Sequence, residues 1–372
     1  MSNTISTYKY ALDAEAVLKS FNVSGKRHLL ITGSRASGKT TLLCGMVRSE
    51  IPRITTWAEP KNAVYLRDEA TGETAVVGRY DPNRPGSENK MAICRDGFDS
   101  VGISAVKRCI SSDCEFAAVD EIGYLECEHD GYTSALLELL EKKRVIAVVR
   151  KQDLPFLNGL MCRDDVFVAD TDEPFGNTGC VIMASGIGSR FGGNKLMADF
   201  GGVPVIGRVI NAAKGIFTRM MAVTRNAETA AYCRSMGIEV ILHDLPYRSD
   251  TVRLGIEAMG NTDGCIFCQG DQPLIGRTTL KAMALAAKND KNSIFRASYG
   301  GTAASPILFP SWVFGELKEL PQGKGGGYAV KNHPECVRSV NADSPYELRD
   351  IDTTDDLCEL LEYVRQQNNR PD

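Results

Sequence analysis

The sequence predicts an α/β protein made of two consecutive domains, and three observations carry that prediction. Its 372 residues exceed what one hydrophobic core usually serves. Strand-like apolar runs alternate with helix-length amphipathic stretches through both halves, the pattern of mostly parallel sheets with helices on their faces. Two glycine-rich loops, Gly33 to Thr40 and Ala184 to Lys195, each follow an apolar run, so each half opens with an anion-binding turn of its own. The polar stretch Asp170-Thr171-Asp172-Glu173-Pro174-Phe175-Gly176-Asn177-Thr178-Gly179 mixes charge, proline and glycine as a linker does. The domains are therefore expected at 27–174 and 175–372, after an amino-terminal extension over 1–26.

In chain order, the first half gives strands at His28 to Thr32, Phe116 to Val119 and Val145 to Val149. Between them, Ala63 to Tyr80 reads as an inserted β-hairpin, because alternating segments flank the turn Ala70-Thr71-Gly72-Glu73. A helix is expected over Thr41 to Val47, and Leu136 to Lys143 is an amphipathic packing helix. The second half gives strands at Cys180 to Met183, Met221 to Thr224, Gly264 to Cys268, Ile294-Phe295 and Pro306 to Phe309.

Composition excludes several classes. With 43% apolar and 24% charged residues and no apolar run near the length of a membrane span, the chain reads as soluble. Met1 to Ser20 lacks the layout of a signal peptide, so a cytoplasmic location is expected. A net charge of -4 offers no basic field for nucleic acid. The twelve scattered cysteines read as reduced thiols, and the Cys265-Cys268 spacing as a core strand instead of a metal site. The four histidines are dispersed; His243 reads as a surface residue, with a place near an acceptor as the alternative.

The octet Gly33-Ser34-Arg35-Ala36-Ser37-Gly38-Lys39-Thr40 fits the phosphate-loop pattern at every fixed position. Its glycines let successive N–H groups and the following helix, from Thr41, face an anion; Lys39 adds a movable charge and Thr40 a hydroxyl for Mg²⁺. Asp120, at the end of an apolar strand, is placed in the Mg²⁺ shell, and Glu121 is the candidate general base. Arg150 is a candidate internal arginine finger. These residues, with Asp120-Glu121-Ile122-Gly123-Tyr124-Leu125-Glu126 and the early hairpin, resemble the small nucleoside-triphosphatase family first recognised in thermophiles, over roughly Arg27 to Asp170. The resemblance implies hydrolysis of several nucleoside triphosphates, ATP and GTP among them, to diphosphates. A kinase and a nucleotide-gated switch are the alternatives for this half.

The second loop is neither a dinucleotide fingerprint, since its glycines are spaced too widely, nor a second phosphate loop. Ala184, Ser185, Gly186 and Gly188 are small enough for a base and ribose to lie close to the backbone, while Arg190 and Lys195 reach the triphosphate and stabilise the transition state at its α-phosphorus. Asp271, after another apolar strand, is the expected Mg²⁺ ligand. Asp352 is a second ligand, although Thr353-Thr354-Asp355-Asp356 also looks like the cap of the last helix. Together with Ser249 to Gly255, Gly301 to Phe309 and Asp350 to Thr353, these motifs resemble the molybdopterin nucleotidyltransferase family, most closely its molybdenum cofactor cytidylyltransferases. That resemblance spans Gly179 to Leu361. It implies a Rossmann-like nucleotidyltransferase domain, following the P-loop three-layer sandwich of the first half, and a reaction of CTP with a molybdopterin-type phosphorylated acceptor; a molybdenum hydroxylase apoenzyme is a candidate partner, to which the first half would deliver cofactor if it is a switch. Gly188 replaces a common serine of that family, and Gly323-Lys324-Gly325-Gly326-Gly327 lacks an expected arginine. A sugar or alditol phosphate acceptor and a GTP-using guanylyltransferase are the alternatives.

Overall fold

The computed structural model describes residues 12–84, 90–186, 188 and 190–368. The chain divides into two compact units, Met1–Pro174 and Phe175–Asp372. Residues Ile187 and Ser189 of the second loop, and 1–11 of the amino terminus, lie outside the described residues.

In the first unit, eight strands form one sheet: β1 (His28–Thr32), β2 (Arg53–Ala58), β3 (Ala63–Asp68), β4 (Thr74–Tyr80), β5 (Met91–Ile93), β6 (Phe116–Ile122), β7 (Arg144–Val149) and β8 (Val166–Asp170). Their order is β5-β4-β3-β2-β6-β7-β1-β8. The half from β2 to β8 is parallel, and β3, β4 and β5 extend it antiparallel. All five residues of β1 are buried, which is why it reads as an unbroken apolar run in place of an alternating one. The β3–β4 hairpin stands where its turn residues place it. Strands β2 and β5 are half-exposed or three residues long and carry too little periodicity to be read.

The segment expected to be an extension is a correction. Residues Ala14–Ser24 form a helix capped by Asp13, whose Oδ1 accepts from Ala16 N at 2.8 Å, and the helix ends at Gly25 with φ 66°. It buries Ala16, Val17 and Phe21, with the Phe21 ring 6.1 Å from Phe167 of β8, so it belongs to the first core.

The second unit holds seven strands: β9 (Thr178–Ala184), β10 (Arg219–Thr224), β11 (Glu239–Leu242), β12 (Gly264–Gln269), β13 (Ile294–Tyr299), β14 (Thr302–Pro310) and β15 (Val337–Asn341). Their order is β11-β10-β9-β12-β14-β13-β15, with only β14 antiparallel to its neighbours. Both glycine-rich loops thus leave the carboxyl ends of parallel strands, the edge at which open α/β sheets bind ligands. All twelve cysteines are unbonded, and Cys265 and Cys268 are buried in β12. No helix among the described residues is long and apolar enough to cross a membrane.

Candidate active sites

In the first unit the loop after β1 curls through left-handed backbone at Ala36 (φ 58°) and Gly38 (φ 89°). At Gly33 (φ 143°) a Cβ would stand 2.0 Å from Thr171 Oγ1, so only glycine fits. The helix Lys39–Met46 begins at Gly38 with no side-chain cap, leaving its first N–H groups free for an anion. Lys39 Nζ lies across the loop, donating to the carbonyls of Gly33 (3.0 Å) and Ser34 (2.6 Å). Burial lowers its pKa, against the pull of Asp172. Thr40 Oγ1 donates to Asp120 Oδ1 at 3.1 Å, which joins two hard oxygen ligands of the kind a divalent cation takes.

Glu121 sits at a bulge in the β6–β7 pairing with φ 95°, an unusual conformation for a residue with a side chain. Its carboxylate is ion-paired with Arg150 Nε. Arg150, half-buried, is itself lowered in pKa by burial and then by Arg35. The expected base and the expected arginine finger are therefore one pair.

Sequence reasoning assigned Asp170, Thr171 and Asp172 to the linker, and the structure corrects this. Asp172 accepts from Ser34 N at 2.8 Å and from Ser34 Oγ at 2.9 Å. Thr171 Oγ1 lies 2.6 Å from Ser37 Oγ, and Lys151 bridges Asp170 and Asp172 at 3.0 and 3.3 Å. These residues scaffold the phosphate loop. The available signal was their position directly after a strand rich in valine.

Glu126, buried, accepts from Gly123 N at 2.7 Å, and burial pushes its pKa from 4.5 up to about 7. An acid raised in this way contributes no penalty below its unfolded value and destabilises the fold as pH rises through the folded one. Stability is thus expected to fall between about pH 4.5 and about pH 7 by up to roughly 3 kcal/mol. Denaturant melts of Glu126→Gln should lose that slope; a slope unchanged in the variant would refute the assignment.

In the second unit a cavity of about 940 Å³ opens over the carboxyl ends of β9 and β12. Ala184, Ser185 and Gly186 line it, and Gly188 (φ 63°) would place a Cβ 2.8 Å from the Gly193 carbonyl, which accounts for glycine there. Ser185 Oγ lies 3.1 Å from the Val223 carbonyl and 2.9 Å from His243 Nε2. A carbonyl only accepts, so the hydroxyl proton goes to Val223 and His243 Nε2 must carry the other hydrogen. Burial lowers the His243 pKa and keeps the ring neutral near pH 7. His243, expected at the surface, is half-buried and stands behind Ser185 of the cavity wall.

Lys195 Nζ lies 2.6 Å from Asp271 Oδ2 and 3.0 Å from Asp352 Oδ1, and Arg190 lies 3.0 Å from Asp352 Oδ2. Burial alone would lower the Lys195 pKa; its hydrogen bonds to Asp271 and then Asp352 raise it. Ile351 N donates to the Asp271 carbonyl at 2.9 Å, pinning the two acidic segments together. Asp356 Oδ2 accepts from Thr353 N at 2.8 Å while Asp356 N donates to Thr353 Oγ1 at 3.2 Å, so Thr353 and Asp356 cap the last helix and leave Asp352 to the site. Asp350, unassigned from sequence, also lines the cavity, and burial followed by Asp271 pushes its pKa up to about 6. No cluster of three or more His, Cys, Asp or Glu side chains suited to a metal occurs among the described residues. Two carboxylates completed by phosphate oxygens are the usual complement for Mg²⁺. The cavity lining adds Arg248, Arg296, Lys324 and Lys331, which sequence reasoning missed. A Cβ at Gly325 would lie 2.9 Å from Arg248 Nε, so an arginine does stand beside the glycine turn, contributed by another element.

The nucleoside-triphosphatase THEP1 of Methanosarcina acetivorans is 32% identical over 137 residues, covering 32% of this chain and 74% of that protein. Through its first domain the chain belongs to the THEP1 nucleoside-triphosphatase family. THEP1 of Thermotoga maritima is 24% identical over 151 residues, 39% of this chain and 86% of its own length. A family model described as NTPase matches residues 59–173 of the THEP1 domain. A second, described as a MobA-like NTP transferase domain, matches residues 180–337, beyond it. Among solved structures, Rv0371c of Mycobacterium tuberculosis is 26% identical with a TM-score of 0.45, covering 50% of this chain and 98% of its own. A nucleotidyl transferase from Methanothermobacter is 21% identical with a TM-score of 0.46, covering 52% and 99%. The chain thus couples a THEP1 domain to an NTP-transferase domain.

Proposed function

We propose that the chain is a bifunctional cytoplasmic enzyme. Its first domain hydrolyses nucleoside triphosphates. Its second transfers the cytidylyl group of CTP to a molybdopterin-type phosphorylated acceptor, releasing pyrophosphate, for use by a molybdenum hydroxylase apoenzyme.

The observation that carries the second activity is a single cavity lined by Lys195, Asp271 and Asp352 together with Arg248, Arg296, Lys324 and Lys331, with Arg190 paired to Asp352 beside it. Arg190 and Lys195 reach the triphosphate, and the four further cations of the lining suit a phosphorylated acceptor. Asp271 and Asp352 would hold Mg²⁺, which supplies charge neutralisation at the α-phosphorus. Ser185, having given its proton to Val223 and accepted from His243, keeps one lone pair in the cavity wall. That lone pair can accept from an exocyclic amine, which cytosine has and uracil lacks.

In the first domain Lys39 and the helix amino terminus bind the terminal phosphates, and Thr40 and Asp120 would hold Mg²⁺. An incoming γ-phosphate competes with Glu121 for Arg150, freeing the carboxylate to take a proton from water. Glu121→Gln is accordingly expected to lower phosphate release about 10²–10⁴-fold while sparing pyrophosphate release.

A second reading, a sugar or alditol phosphate acceptor, is favoured by the absence of arginine from Gly323 to Gly327 itself. Incubating the intact chain with CTP, Mg²⁺ and either acceptor, and measuring pyrophosphate, decides between them. Release with a sugar phosphate but never with molybdopterin would reverse the order.

A further inference from the structure

Beside the phosphate loop of the first unit lies a second cavity, of about 320 Å³. Hydrolysis requires room for one water, whose share of volume is about 30 Å³. Ten times that is the size of a small organic ligand site. Lys39, Thr40 and Asp120 are not part of its wall, whereas Arg35, Glu121 and Arg150 are, so it adjoins the phosphate cradle without being it.

Its walls have two characters. Val64, Tyr80, Met91, Tyr124 and Leu125 make an apolar and aromatic side suited to a planar ring. Val64, Tyr80 and Met91 belong to the antiparallel extension of β3, β4 and β5, so that extension builds the cavity. Around the ring face stand Arg35, Arg150 and the exposed Lys61 and Lys90, four cations for an anionic group. Of its two carboxylates, Glu126, buried and pushed up to about 7, is largely uncharged below neutral pH, and Glu121, once the γ-phosphate draws Arg150 away, is outnumbered by Arg35, Lys61 and Lys90. The wall therefore does not repel a second phosphate.

We infer that this cavity is an acceptor site for a nucleoside 5′-monophosphate, and that the first domain transfers the γ-phosphoryl group of a bound nucleoside triphosphate to it. The inference rests on the first domain binding and cleaving nucleoside triphosphates. A phosphate oxygen of the monophosphate forms the new bond to the γ-phosphorus. The bond from that phosphorus to the bridging oxygen breaks, and its electron pair leaves with the nucleoside diphosphate. A tetra-anion and a dianion give two trianions, so no proton has to move. Arg35 and Arg150 offset the repulsion between the two phosphates. Hydrolysis is the reaction when water stands in the place of the monophosphate.

The test uses the intact chain, Mg²⁺ and γ-phosphate-labelled ATP, with AMP, CMP, GMP and UMP as separate probes. Label is expected in the nucleoside diphosphate with at least one probe, at about tenfold the rate of phosphate release, as chemistry on a positioned acceptor requires. Lys61→Glu, at an exposed position, is expected to raise the KM for that monophosphate about tenfold with kcat changed far less, because it reverses a charge that only binds. Label appearing solely in inorganic phosphate with all four probes, or a KM unmoved by Lys61→Glu, overturns the inference. The reaction without any monophosphate reads the hydrolase separately: absence of phosphate release there would sink the triphosphatase reading instead.

Discussion

Lys39→Ala is expected to lower phosphate release from nucleoside triphosphates by about 10³-fold or more, the scale on which removing a charge from a phosphoryl-transfer site acts. The loop itself should survive. Its backbone path is set by Gly33 against Thr171 and by Asp172 holding Ser34, neither of which needs the lysine. What disappears is the Lys39 ammonium group, which reaches over the loop to Gly33 and Ser34, where the terminal phosphates would lie. Steady-state phosphate assays check the loss. Pyrophosphate release from CTP by the same variant should stay within about twofold of the parent, since the second cavity has its own cations.

Asp271→Asn has the second large effect, and it is the mirror image. The amide keeps the shape but neither charges the site nor ligates Mg²⁺ well, so pyrophosphate release should fall about 10³-fold, equivalent to several kcal/mol of lost metal-assisted stabilisation. Lys195 is not stranded, because Asp352 still pairs with it at 3.0 Å, and the variant should fold. Phosphate release by the first domain should be unaffected. If Lys39→Ala and Asp271→Asn were to abolish the same activity, the two-site reading would be wrong.

How much of these sites the sequence disclosed follows a physical division. The curled loop from Gly33 to Thr40 was legible because its backbone shape is encoded by eight adjacent residues. The expected acids at 120 and 271 were legible because each closes or follows an apolar strand, and strand ends are where open sheets place their chemistry. Pairing was not legible. Glu121 meets Arg150 only because β6 and β7 are neighbours and β6 bulges between Asp120 and Ile122. Thr171 and Asp172 looked like linker because polar residues suit solvent and loop scaffolding equally. Their task appears only once β8 pairs with β1, bringing Asp170 opposite Thr32. His243 was similarly hidden, since its link to Ser185 crosses from beyond β11 to the end of β9.

The sequence by itself determined that this protein carries two glycine-rich loops on two α/β sheets, which short-range backbone chemistry and apolar periodicity suffice to encode. Only the tertiary structure decided which charges face each other: that Lys195 stands between Asp271 and Asp352, that Arg248 backs the turn at Gly325, and that a cavity opens beside Glu121. The reason is that strand order and strand ends, not chain proximity, set those distances, and a Coulomb or hydrogen-bond interaction exists only once the distance is set.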